Sequence, residues 1–176
     1  VSVGLSTITG EILDKRNMTY DSEVKSSKIL DFIIKSFKEL LTNNCLNNSS
    51  ILGLGIGILP EMHSKMGVTV SHDGNADYSS ILKMLKMHFE IPILIDNSIK
   101  GLALANIDYR KVKLPTQQNF VFIQYGKCFN FINVNDNEPQ KSIVNFTNLI
   151  NKMIVNPGGE SYGDYPHGSV YAELTW

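Results

Sequence analysis

What the chain has little of removes several function classes at once. It has two cysteines, Cys45 and Cys128, far apart and without a CxxC or any metal-ligand spacing, so it is no disulfide or zinc scaffold; the pair reads as reduced thiols of a cytoplasmic protein. Basic excess is missing too: 16 Lys+Arg stand against 17 Asp+Glu, for a net charge of -1. No basic footprint for nucleic acid exists in these residues, and contact with DNA would need another segment. No apolar run approaches the roughly 20 residues of a membrane helix, and VSVGLSTITGEIL lacks the basic start and long apolar core of a signal peptide. His63, His72 and His88 show no pairing spacing, which makes them surface or satisfied core residues. Asp73-Gly74-Asn75 has too few carboxylates for a calcium loop.

What is present is an alternation of strands and helices. At 176 residues the chain is one domain or a piece of a two-lobed one. Val1 to Arg16 reads as a hairpin: Val3 and Leu5 alternate with small or polar residues, Thr9-Gly10 turns the chain, and Ile12-Leu13 start the return. Ile29-Leu30, Phe32-Ile33-Ile34, Phe37 and Leu40-Leu41 recur at helical spacing, with Asp21 or Ser22 as the expected cap and an Asn-rich connector, Thr42 to Ser50, as the end. Ile51 to Ile58 is a nearly continuous apolar and glycine run, expected as a strand buried on both faces. Glu61 to Ala76 reads as a loop, and Tyr78 to Phe89 as a helix around which Met62, Met66, Met84 and Met87 pack. The next strand follows Pro92, so the architecture is α/β.

Beyond Asn106, Pro115 and Thr116 to Gln118 separate off a second hairpin, NFVFIQYG and CFNFINVN, turning at Gly126-Lys127. Ile143 to Ile150 fits strand or helix. Lys152 to Asn156 reads as extended, Asn156 to Gly168 as an irregular loop dense in Gly, Pro and Tyr, and VYAEL as the start of a further element. These breaks divide the chain into a lobe at 1–110 and the start of a second lobe at 111–176.

The chemistry concentrates between Pro92 and Asn106, where an apolar strand ends in Asp96-Asn97-Ser98 and a small-residue helix begins. Open α/β sheets bind ligands at such corners. Asp96, Asn97 and Gly57 are the candidate ligand-binding residues, Asp96 also serving as a possible capping carboxylate at the helix start. Gly53, Gly55 and Gly57 admit two readings: close approach of a ligand to the backbone, or relief of crowding under a packed helix.

Together, SVGLSTITGEIL, ILGLGIGILP, IPILIDNSIKGLALAN, NFVFIQYG and MIVNPGG resemble the ROK family of repressors, open reading frames and sugar kinases. The resemblance implies a ribonuclease-H-like, actin-like ATPase fold, incomplete here at both ends. It also implies that a ROK kinase's Glu-Asn-Asp-x-Asn run, whose Asp is the base on the attacking hydroxyl, corresponds to Asp96-Asn97-Ser98-Ile99-Lys100. Asn97 is kept and the base position carries Ser98, which cannot accept a proton at neutral pH without a base of its own. The family's glycine-rich phosphate turn corresponds to Gly126-Lys127-Cys128-Phe129-Asn130-Phe131: only Gly126 survives, and Lys127 reads as a solvated turn lysine in preference to one that attracts an anion. The sugar-contacting Glu falls at Leu149, and the His and three Cys that bind zinc fall at Lys152, Tyr162, Asp164 and Ser169. None supplies a thiolate or imidazole; Tyr162, Tyr165 and Pro166 are expected to fill that loop instead, and no metal or cofactor is expected.

The resemblance therefore implies a non-catalytic effector-sensing or oligomerisation domain of a sugar-responsive transcriptional regulator. Such a domain takes a sugar or sugar-phosphate effector, assembles as a homo-oligomer, and meets DNA only through a module outside this chain. The alternative is a sugar kinase transferring phosphate from ATP to a hexose or amino sugar, which needs positioned phosphates that these turns are poorly built to supply.

Overall fold

A computed structural model of the chain describes residues 1–20, 23–71, 75–110, 119–125, 130–140, 149–163 and 165–174. Outside them lie Asp21 and Ser22, His72, Asp73-Gly74, Pro115 and Thr116 to Gln118, Gly126 to Phe129 with Lys127 and Cys128, 143–148 of the ambiguous stretch, and Asp164. Contacts divide the chain into two compact units: Val1–Ile56 with Glu61–Val68 and Tyr78–Ile95, and Gly57–Pro60 with Thr69–Asp77 and Asp96–Trp176.

In the first unit, β1 (Ser2–Ser6) pairs antiparallel with β2 (Ile12–Asn17) through the expected turn, Gly10 N–H donating to Thr7 O at 3.1 Å. Helix α1 (Ser26–Asn43) lies against this hairpin and buries Ile29, Leu30, Ile33, Leu40 and Leu41, the stripe that the spacing predicts. Its start differs from expectation: Lys25, with no side-chain cap, occupies the N-cap position. Helix α2 (Ser79–Lys86) buries Ile81 and Leu85, and Phe89 just beyond it packs edge-on against Phe37 of α1 at 4.7 Å between ring centroids. Of the methionines expected here, Met66 is buried, but Met84 and Met87 are 39% and 71% exposed. They stand at the rim of a groove that Leu30 and Ile34 of α1 and Leu85 of α2 also line, so they lie beside the buried stripe rather than in it.

Strand β3 (Leu54–Ile58) pairs with β6 (Ile93–Asn97). It is shorter than the apolar run and is not buried on both faces: Gly55 and Gly57 sit on an exposed side, and Leu52 ahead of it is 77% exposed. Between β3 and α2, a region expected as loop, β4 (Thr69–Val70) and β5 (Ala76–Asp77) form a short antiparallel ladder.

The core of the second unit explains the placement of its helix. In α3 (Ser98–Arg110), Ile99, Ala103 and Ile107 recur every fourth residue and are buried. Strands β7 (Phe120–Gln124) and β8 (Asn130–Asn135) pair antiparallel with Phe120 opposite Val134 and Phe122 opposite Ile132. Those four side chains share one sheet face and cluster with the α3 stripe. A two-residue turn at Asp136-Asn137, both at positive φ (52° and 65°), leads to β9 (Glu138–Pro139). A helical turn at 149–152 precedes the Tyr-rich loop, and α4 (Val170–Leu174) follows it.

Candidate functional site

The corner is built by an abrupt strand-to-helix junction, with β6 ending at Asn97 and α3 starting at Ser98. The first amides of a helix have no partners within it. Asn97 supplies one, its Oδ1 accepting the Ile99 N–H at 2.9 Å, as an N-cap residue does. Asp96 is therefore not the cap: its Oδ1 accepts the Asn97 N–H at 2.8 Å and its Oδ2 pairs with Lys100 Nζ. Lys100 has no counterpart role in the family resemblance, yet an acid and a lysine four residues apart carry the usual spacing of a helical ion pair.

Ser98 is the first helical residue, and its Oγ is buried without a hydrogen-bond partner. Gly57 lies directly against it: a Cβ on Gly57 would sit 3.1 Å from both Cα and Cβ of Ser98. A Cβ on Gly53 would sit 3.1 Å from the Pro92 carbonyl oxygen, whereas Gly55 has nothing within 4 Å. Gly53 and Gly57 are thus small because their own chain approaches them. Chemically, the corner holds a hydroxyl with no base on it and a carboxylate already matched by an ammonium. Asp96 and Asn97, both half-buried, are the polar groups there that can hydrogen-bond a ligand.

The remaining candidates are dispersed. Gly126 and Lys127 lie outside the described residues. Phe131, in the stretch that the resemblance matches to a phosphate turn, is buried and pairs with Ile123 across the ladder. Leu149, at the family's Glu position, is 68% exposed, and Lys152 and His167 are exposed. Ser169 is fully buried, its Oγ accepting the Ala172 N–H at 3.3 Å at the start of α4. Among the described residues no three of His, Cys, Asp and Glu gather closely enough to hold a metal. A hydroxyl committed to a helix start, an exposed tyrosine at 162 and an exposed lysine at 152 do not fit tetrahedral zinc. His63 is a satisfied core histidine, buried with its Nε2 3.2 Å from the Tyr78 hydroxyl.

No protein-family model matches the sequence, and no curated protein matches it. Solved structures do. The chain superimposes over 99% of its length, with a TM-score of 0.66 and 13% identity, on a ROK family transcriptional regulator that is a homolog of the E. coli MLC protein. It matches a ROK hexokinase from Thermus thermophilus over 92% of its length (TM-score 0.53, 12% identity). A protein described as a sugar kinase from Cytophaga hutchinsonii matches over 87% (TM-score 0.55, 20% identity). The chain spans 43%, 52% and 50% of those three chains, respectively. Its fold is accordingly the ROK-type, actin-like ATPase fold that the sequence motifs imply. No helix among the described residues is long and apolar enough to cross a membrane.

Proposed function

We propose that this chain is a non-catalytic, ROK-like effector-sensing or oligomerisation domain of a sugar-responsive transcriptional regulator. The observation that carries the reading is Ser98 Oγ, buried and unpartnered at the position where the resembling kinases hold their base. Loss of a general base costs roughly 10²- to 10⁴-fold in rate, and Asp96 beside it is engaged by Lys100. The cap on α3 uses only the Oδ1 of Asn97, so its Nδ2 is the donor left for a sugar hydroxyl. Likeness to a ROK regulator over nearly the whole chain supports the regulatory reading; likeness to a ROK hexokinase keeps phosphoryl transfer as the second. DNA contact in this reading belongs to a module outside these residues.

Calorimetric titration with hexoses, amino sugars and their phosphates, alongside ATP-magnesium turnover with each sugar, tests it. Sugar binding without turnover fits an effector sensor, and silence toward both fits an oligomerisation domain. Turnover of ATP by the unmodified chain with any sugar overturns the proposal. Ser98→Asp is expected to stay inactive, because one carboxylate does not rebuild a nucleotide site; phosphoryl transfer by that variant would show the nucleotide site to be intact.

A further inference from the structure

We infer that the loop from Asn156 to Ser169 is closed by a tyrosine stack and backbone hydrogen bonds, in place of the zinc site that the family resemblance implies, and keeps its order without a metal. This rests on the fold and is independent of whether the corner binds a sugar.

Hydrogen bonds clamp the base of the loop. Val170 N–H donates to Met153 O at 2.9 Å, while the Val155 and Asn156 N–H groups both donate to Gly168 O at 2.9 and 3.0 Å. Gly168 N–H in turn donates to Glu160 O at 2.9 Å. This packing leaves no space at Gly168, which has φ 63° and where a Cβ would collide with the Asn156 carbonyl. Side chains close the far end. Tyr165 lies parallel to Tyr171 of α4, with centroids 4.0 Å apart and planes 13° apart, and Tyr162 tilts toward the same ring at 6.1 Å. Tyr165 N–H donates to Tyr162 O at 3.0 Å, and Asn156 Nδ2 donates to Glu173 Oε1 at 3.2 Å.

Each tie joins the loop to its own base or to α4, the work that metal ligands do when they gather distant segments of a loop. Pro166, expected inside with the tyrosines, is exposed, so the stack itself is Tyr165 on Tyr171. Such a closure involves no thiolate and therefore resists chelators and thiol oxidants alike.

Elemental analysis of the purified chain, thermal unfolding with chelator and with added zinc, and limited proteolysis of Tyr165→Ala and Tyr165→Phe together test this. Expected are zinc far below one ion per chain, a Tm unmoved by chelator, and cleavage within the loop of Tyr165→Ala faster by roughly two- to tenfold, the range of an aromatic pair. Tyr165→Phe, which keeps the stack, is expected to cleave like the unmodified chain. One zinc per chain, a chelator-induced fall in Tm, or equal resistance of the Ala and Phe variants would overturn the inference. The metal measurements need no variant and stand even if Tyr165→Ala fails to fold.

Discussion

A buried hydroxyl without a partner costs roughly 1–3 kcal/mol, and Ser98 Oγ is in that condition. The cost persists because the position is crowded, with Gly57 packed against the start of α3. Gly57→Ala would place a methyl 3.1 Å from Ser98 Cα and Cβ, and the Cα is helix backbone, which cannot rotate away. We expect a loss of about 1–3 kcal/mol in urea unfolding, as for other overpacked sites. Gly55→Ala, with nothing within 4 Å, is the control and should change stability by less than about 0.5 kcal/mol. Equal effects at the two glycines would mean that Gly57 is not a contact residue. The Asp96–Lys100 pair adds little to this balance, since with side chains 40% and 32% exposed it contributes at most about 1 kcal/mol. Its consequence is chemical: it occupies the carboxylate nearest Ser98 along the chain.

Among the elements, α1 separates what periodicity encodes from what local geometry decides. Its buried stripe is legible because apolar side chains three and four residues apart must share a face. Its ends are not. The start has no capping side chain at Lys25, so the usual signal of Ser, Thr, Asp or Asn pointed upstream to the wrong residues. The end is a Schellman turn, with Leu46 N–H donating to Leu41 O at 2.9 Å, Cys45 N–H donating to Thr42 O at 3.2 Å, and Cys45 at φ 54°. Glycine normally marks that position, and a cysteine hides it. Because the Cys45 side chain is exposed, Cys45→Gly should relieve the left-handed strain at little packing cost. We expect a gain of about 0.5–1 kcal/mol, the left-handed penalty less glycine's added chain entropy; a loss in urea unfolding would show that the thiol contributes packing. The turn at Asp136-Asn137 was not read either: both residues tolerate positive φ, but the strand after it is only Glu138–Pro139, with no apolar alternation to mark a hairpin.

Across the whole molecule, fold and site differ in how they are written. TM-scores of 0.53 to 0.66 at 12–20% identity arise because a core needs only apolar residues of suitable size at periodic positions, such as Ile99, Ala103 and Ile107 against Ile132 and Val134. Site chemistry needs particular atoms, so in the proposed reading Ser98 at the base position changes what the corner can do without disturbing the frame. The corner's location could thus be read from the apolar strand and the polar trio after it. Asn97 as cap and Tyr165 on Tyr171 could not, because both depend on distances between groups that composition and spacing do not fix. Charge follows the fold's logic of averages. The near balance of 16 basic and 17 acidic residues is reinforced locally, since Arg16 and Lys35 both meet Glu39 and Lys100 meets Asp96. A protein held to DNA through phosphates must release counterions along a basic face, and non-specific binders that do so reach dissociation constants of roughly 10⁻⁴ to 10⁻⁶ M. We therefore expect this chain to leave a mixed-sequence duplex unshifted in a gel at micromolar protein and about 0.15 M salt, the range in which such binders act. A retarded band that weakens steeply with added salt would reveal a basic face that the overall balance conceals, and would place DNA contact within these residues.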